Sequence, residues 1–273
     1  MKRIAVCASF NDLRSPHVRF LEEAARLGKV HVLLWSDDMV RAVTGKAPKF
    51  PEAERFYLLQ AIRFVEAVRL VKHDLSSDAL PLLEEIRPDV WAVDEPHDTP
   101  ARRAFCGSHR LAYHVVSSKS FAGYPKADLA IAPPAPGNKK VIVTGCYDWF
   151  HSGHVRFFEE VSEYGDLYVT VGNDKTIGVL KGADHPLFKE DERRYLCASL
   201  RYVHQALVST GMGWLDAAPE IERIQPDIYA VNEDGDRPEK RDFCAEHGIQ
   251  YLVLKRTPKE GLTRRSSTHL RGF

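Results

Sequence analysis

Residues 10–28, FNDLRSPHVRFLEEAARLG, return at residues 147–165 as YDWFHSGHVRFFEEVSEYG, an offset of 137. Two further blocks repeat downstream. ERFYLLQAIRFV (54–65) pairs with ERRYLCASLRYV (192–203), and IRPDVWAVDEPHDTPARRAFCGSH (86–109) with IQPDIYAVNEDGDRPEKRDFCAEH (224–247), both at 138. An offset held across three separated blocks with one single-residue slip makes the chain a tandem duplication. Between the copies, SFAGYPKADLAIAPPAPGNKK (120–140) is punctuated by Pro, Ala and Gly and reads as a linker. The boundary falls near residue 135, giving copies over 1–135 and 136–273.

Within each copy, short apolar runs alternate with helix-length amphipathic segments. In the second copy the pattern predicts strands over 141–145, 167–172, 207–209, 227–231 and 250–254. Helices are predicted over 154–164, 189–204, 214–224 and 238–247. Such alternation implies parallel strands joined by right-handed crossovers, so the fold class is α/β: two tandem Rossmann-like domains, each a parallel sheet flanked by helices. At 273 residues, each half is long enough to bury a core without disulfides.

Composition removes several function classes. Basic and acidic side chains number 38 each, so the chain lacks the positive excess that nucleic-acid binding usually needs. Five scattered cysteines without a CxxC pair indicate neither a zinc ribbon nor a disulfide framework, and suggest reduced thiols in a cytoplasmic protein. The opening MKRIAVCASF reads as a first strand, because Asn11, Asp12 and Arg14 end the apolar run too early for a signal-peptide core. No run approaches the roughly 20 apolar residues of a membrane span.

The second copy places TGCYDWFHSGH (144–154) directly after its first strand, at the carboxyl edge where parallel sheets bind ligands. Thr144, Gly145 and Gly153 let the backbone approach a ligand closely, and His151 and His154 fall at the helix start. Free N–H groups and the helix dipole favour a phosphate there, and two imidazoles three residues apart can donate to its oxygens. The same histidines would equally satisfy local hydrogen bonds, and a zinc site would need a third ligand beyond Asp148. Lys181, in VLKGADHP after the second strand, would reach a phosphate from a mobile loop, and Arg193 opens the next helix. NEDGD (232–236) follows the fourth strand and offers oxygens for ribose or base. The tail KRTPKEGLTRRSSTHLR combines Arg256, Arg264 and Arg265 with the hydroxyls of Ser266, Ser267 and Thr268. Together these read as a nucleoside triphosphate site.

GCYDWFHSGH, LKG, ERRYLCASLRYV and RTPKEG…SST resemble the cytidylyltransferase family of the HxGH nucleotidyltransferase superfamily over residues 140–271, with a weaker echo over 3–120. GCYD with HSGH is most similar to the phosphoethanolamine and phosphocholine enzymes, and the compact length is similar to glycerol-3-phosphate cytidylyltransferase. The resemblance implies transfer of CMP from CTP to a small phosphorylated alcohol, as in phospholipid biosynthesis, with pyrophosphate released and Mg²⁺ accompanying the nucleotide. It further implies that His151 and His154 contact the triphosphate, Lys181 bridges donor and acceptor phosphates, and Arg193 holds phosphates. Asp148 and Asp174 would order the site, Ser266, Ser267 and Thr268 would bind the outer phosphates, and Glu233 and Asp234 would lie near the nucleoside. Cys146, Tyr147, Asn232 and Arg256 complete the expected nucleotide-binding set. The tail departs from the family pattern by inserted residues, SSTHLR also resembles the ending of adenylyltransferases, and LKG…P with ER recurs in ADP-heptose synthase and archaeal FAD synthetase relatives. ATP is therefore the alternative donor, and an inactive nucleotide sensor the alternative without chemistry.

In the first copy, Arg14, Pro16, Ala8 and Asn11 stand where the second has His151, Gly153, Gly145 and Asp148. Pro16 has no N–H to offer, and Thr44 aligns with Lys181. The first copy is therefore expected to do no chemistry, and to serve as an intramolecular stand-in for the second subunit of a homodimer or as an independent lobe.

Overall fold

The computed structural model describes residues 1–72 and 78–270, with the side chains of Thr268 and His269 outside the described set. The chain divides into two compact units, Met1–Gly123 and Tyr124–Phe273. In the first, β1 (Arg3–Ala8), β2 (Lys29–Trp35), β3 (Val65–Val71), β4 (Val90–Asp94) and β5 (Ala112–Val116) form one parallel sheet in the order β3-β2-β1-β4-β5. In the second, β6 (Lys140–Gly145), β7 (Asp166–Val171), β8 (Val203–Val208), β9 (Ile228–Asn232) and β10 (Gln250–Leu254) repeat it as β10-β9-β6-β7-β8. Each is a Rossmann-like α/β sheet whose winding reverses beside its first strand. In the second unit that switch point lies between β6 and β9, where a crevice opens at the carboxyl ends.

The repeat extends to single packing details. Gly28 and Gly165 end the first crossover of each unit, and a Cβ there would sit 2.2 Å from the carbonyl oxygen of Lys2 or Lys139. Only glycine permits that approach. Below the sheets, Ala5, Trp91, Val93 and Cys106 form part of one core, and Ile142, Tyr229, Val231 and Cys244 part of the other. The helix Ser152–Val161 buries Val155, Phe157, Phe158 and Val161 along one stripe. Burial of each such side chain contributes about 1.5–3 kcal/mol, which holds the start of that helix against the end of β6.

Three expectations need correction. The linker does not end a first domain at residue 135: Ala132 N–H donates to Gln205 Oε1 (2.9 Å), Tyr168 Oη donates to the Ala132 carbonyl (2.6 Å), and Tyr124 packs on Tyr195. These bonds tie residues 124–135 to the second unit. The helix expected over 189–204 is Glu190–Ala198, because the Ser199 hydroxyl turns back onto the Tyr195 carbonyl and Val203 already starts β8. Lys181 does not ride on a loop. It is the last residue of the helix Asp174–Lys181, which begins where Asn173 caps the Thr176 N–H at 2.7 Å. Among the described residues no helix is long and apolar enough to cross a membrane.

Candidate active site

A cavity of about 520 Å³ opens at the carboxyl ends of β6 and β9. Its first wall is the loop between β6 and the helix Ser152–Val161. His151 is the N-cap of that helix, and its Nδ1 accepts the Gly153 N–H at 3.0 Å. With Nδ1 accepting, the proton of the neutral ring sits on Nε2. Burial, with the positive charge of Arg256 and Arg265, pushes the His151 pKa down to about 3. His154 is held well below its ordinary value by burial, then by His151, Arg256 and Lys181. Two neutral imidazoles therefore stack at 3.9 Å between ring centres, tilted by 20°. His151 is fully buried, and its Nε2 has no protein partner among the described residues. His154 forms cavity wall and His151 does not.

The glycines beside these rings are required, though not for the reason the sequence suggests. A Cβ on Gly153 would lie 2.8 Å from the His151 ring carbon, and one on Gly145 would lie 2.8 Å from the Tyr147 ring. Those side chains occupy the positions a Cβ would take, while both glycines still line the cavity. Tyr147 adopts a left-handed backbone (φ 50°), which folds its ring beneath β6 and against His154 and Phe158.

The other walls come from separate elements. Asn232 closes β9, Asp234 follows it, and Lys181 reaches in from the end of its helix. After β10 the tail turns back over the loop. Arg256 pairs with Asp234 and donates to the Arg265 carbonyl at 2.8 Å, Lys259 pairs with Glu159 at 2.9 Å, and Ser267 Oγ donates to the Trp149 carbonyl at 3.2 Å. This brings Ser266 and Ser267 to the cavity beside Arg256. Thr144, Gly145, Cys146, Tyr147, Asp148 and Gly153 also line it, as the sequence implies.

Arg193, Asp174 and Glu233 are not brought to it. The Arg193 guanidinium is fully buried and spent on the carbonyls of Phe188, Cys146 and Gly172 and on Asp174 (2.8, 2.6, 2.8 and 2.8 Å). Arg55 repeats this in the first unit, bonding to Phe50, Ser9, Trp35 and Asp37. Because the pattern persists where Arg14 and Pro16 replace the first histidine and the glycine of HxGH, Arg193 is a brace for the loop and the role expected of it as a phosphate ligand does not hold. Asp174 is its counter-ion. Glu233 lies outside the cavity wall, accepting the Arg256 N–H at 3.4 Å. Asp148 does line the cavity, yet its Oδ1 accepts the N–H groups of Leu187 and Phe188 (2.8 and 2.9 Å), much as Asn11 accepts that of Lys49 in the first unit. Thr268 lies outside the described residues.

Two polar walls escaped the motif reading. His185 sits inside the KGADHP segment that was singled out for its lysine alone, and its Nδ1 is buried without a protein partner among the described residues. Lys240 occupies the first turn of the helix Pro238–Glu246, with its ammonium over the Tyr229 ring at 5.6 Å. The signal for it was present in the repeat, since Arg102 takes the same position over Trp91.

Among the described residues no group of three His, Cys, Asp or Glu side chains could hold a metal ion. A dedicated Mg²⁺ cage is thus not formed by these residues. Small hard cations of this kind are commonly held through phosphates and water instead.

Comparison with known proteins agrees with this geometry. A family model described as cytidylyltransferase-like matches residues 142–269. The FAD synthase of Ferroglobus placidus is 34% identical over 125 residues, covering 45% of this chain and 78% of that protein. The FAD synthase of Methanocella paludicola is 31% identical over 135 residues (48% and 93%), and the bifunctional protein HldE of Azotobacter vinelandii is 32% identical over 158 residues (56% and 31%). With the cavity at the switch point and its cationic walls in the matched region, the chain belongs to the cytidylyltransferase-like family of nucleotidyltransferases.

Proposed function

We propose that the second unit transfers an adenylyl group from ATP to a phosphomonoester and releases pyrophosphate. The observation that carries nucleotidyl transfer is the pair of neutral, stacked imidazoles at the head of a helix, of which His154 faces a cavity walled by Lys181, Arg256 and Lys240. The relatives support ATP as the donor: FAD joins an adenylyl group to a flavin phosphate, and two of the relatives above are FAD synthases. The expectation of CTP and a phosphorylated alcohol, carried by the GCYD and HSGH resemblance, is the second reading, and phospholipid synthesis has no support from those relatives.

In the reaction, an oxygen of the acceptor phosphate attacks the α-phosphorus of the triphosphate. The new P–O bond forms as the bond from the α-phosphorus to the α,β-bridging oxygen breaks, and pyrophosphate leaves with the electron pair. A phosphomonoester has a second pKa of about 6, so it is largely dianionic near neutrality and no general base is needed. The site's task is alignment of two anions and neutralisation of the charge gathering on the leaving group. Lys181 and Arg256 supply charge, His154 supplies a neutral donor, and Ser266 and Ser267 supply hydroxyls to the phosphates.

The test crosses ATP, CTP, GTP and UTP with a panel of phosphomonoesters and measures pyrophosphate. A preference for ATP of at least about tenfold, or 1.4 kcal/mol, is expected. A preference for CTP overturns the donor assignment, and tight nucleotide binding without pyrophosphate from any pair would make the chain a sensor.

A further inference from the structure

A second cavity of about 380 Å³ adjoins the first and shares Gly145, Lys181, Asp234 and Lys240 with it. Its remaining walls include Ile177, Leu180, Trp214, Asp216 and Arg237. Lys240, at the junction, is only 8% exposed, yet its Nζ meets nothing closer than the Gly235 carbonyl at 3.5 Å, and no carboxylate lies within ion-pair distance among the described residues. In the first unit the corresponding Arg102 is instead satisfied, donating to the His97 carbonyl at 2.6 Å and facing Asp78 at 3.6 Å. A buried ammonium without a counter-ion is costly, and an anion delivered by a ligand would offset that cost. Burial also pushes the Lys240 pKa down, with Asp216 opposing.

We propose that the acceptor phosphate docks between Lys181 and Lys240 where the cavities meet, and that the acceptor is a phosphomonoester whose organic part, seated in the second cavity, carries no positive charge. The cavity carries more positive than negative charge: three cations line it against two carboxylates, of which Asp216 accepts the Ser209 hydroxyl at 2.6 Å and Asp234 pairs with Arg256. Among the described residues lining it, Trp214 alone is aromatic, too few for the cage that a quaternary ammonium requires. Trp214 is half exposed, but the Arg237 guanidinium already stands 5.1 Å from its ring centre. Of the aromatic residues near the HSGH loop, Trp149 and Tyr147 are 9% and 6% exposed and packed on Phe188 and Phe158, and Phe150 packs on His154. Choline- and ethanolamine-type acceptors are thereby disfavoured.

The inference rests on the proposed transfer to a phosphomonoester, and it is indifferent to whether ATP or CTP is the donor. Calorimetric binding to the full chain separates the two, because it needs no turnover. Glycerol 3-phosphate, glucose 1-phosphate and flavin mononucleotide are titrated against phosphocholine and phosphoethanolamine. The best uncharged or anionic acceptor is expected to bind at least about tenfold more tightly than either cationic one, and Lys240→Met to weaken it by about tenfold or more. Lys240→Arg should restore most of that loss, which a merely structural role would not produce. If Lys240→Met fails to fold, Lys181→Met at the exposed end of its helix reads the same phosphate contact. Equal or tighter binding of phosphocholine, or unchanged acceptor affinity in the lysine variant that folds, overturns the proposal. Discriminating acceptor binding without pyrophosphate release from any donor would leave it standing while sinking the proposed reaction.

Discussion

His151 and His154 carry opposite duties within one motif. His151 spends Nδ1 on the helix N-terminus and its ring face on His154, so it sets the position of the histidine that meets the cavity. Because the folded chain keeps His151 neutral down to about pH 3, while an unfolded histidine titrates near 6.5, the unfolded chain binds more protons between those values. Stability is therefore full above about pH 6.5 and falls on acidification, by at most about 1.4 kcal/mol per pH unit for this imidazole. Thermal melts from pH 7 to 4 should show a slope of that sign, and His151→Asn should make it shallower while the share of the buried His154 remains. A second substitution reads the spacing between the rings. A methyl group on Gly153 would meet the His151 ring at 2.8 Å and push it out of the stack. Gly153→Ala is expected to lower pyrophosphate release roughly 10- to 100-fold with the melting temperature little changed. The HxGH spelling was legible in the sequence. Which histidine faces the ligand was not, because that depends on a cap bond and a stacking contact between side chains.

At the scale of elements, the Arg193 brace fastens the β6 loop, the end of β7 and the start of the helix Asp174–Lys181 at one point. Its twin Arg55 does the same in the first unit. Arg193→Met and Arg55→Met should each cost about 3–5 kcal/mol in denaturant unfolding, since each leaves buried carbonyls and a carboxylate without their partner. Lys181→Met, at an exposed helix end, should cost within about 0.5 kcal/mol of stability and still abolish most pyrophosphate release. Equal stability losses for Lys181 and Arg193 would contradict this division of labour. Motif matching alone placed Arg193 among the phosphate ligands. The repeat held the better signal, because an arginine that persists in a copy where Arg14 and Pro16 replace His151 and Gly153 has a structural reason to persist.

For the whole molecule, the duplication yields two sheets of identical strand order, of which one keeps the histidine pair and the described cavities. In the first unit Arg14 takes the N-cap position and Pro16 the first turn, while His17 Nδ1 accepts the Arg14 N–H at 3.1 Å. That unit is expected to contribute no chemistry. His17→Ala should leave pyrophosphate release unchanged in the full chain, whereas His154→Ala should lower it by at least about 100-fold. A comparable loss from both would place a reacting site in the first unit.

The internal repeat, the alternation of apolar and amphipathic segments and the HxGH residues determined by themselves that this chain holds two parallel α/β units and that the second is the cytidylyltransferase-like one. Those properties are written in local periodicity and in short motifs, which need no long-range contact to be read. Tertiary structure alone decided which of the motif residues meet in the cavity. It buried Arg193 and His151, sent the 124–135 segment to the second unit, and brought Lys240, 86 residues beyond His154, to the junction of two cavities. The reason is physical: switch-point geometry gathers the ends of β6 and β9, and whether a side chain there braces or binds depends on which buried hydrogen-bonding groups around it are already satisfied.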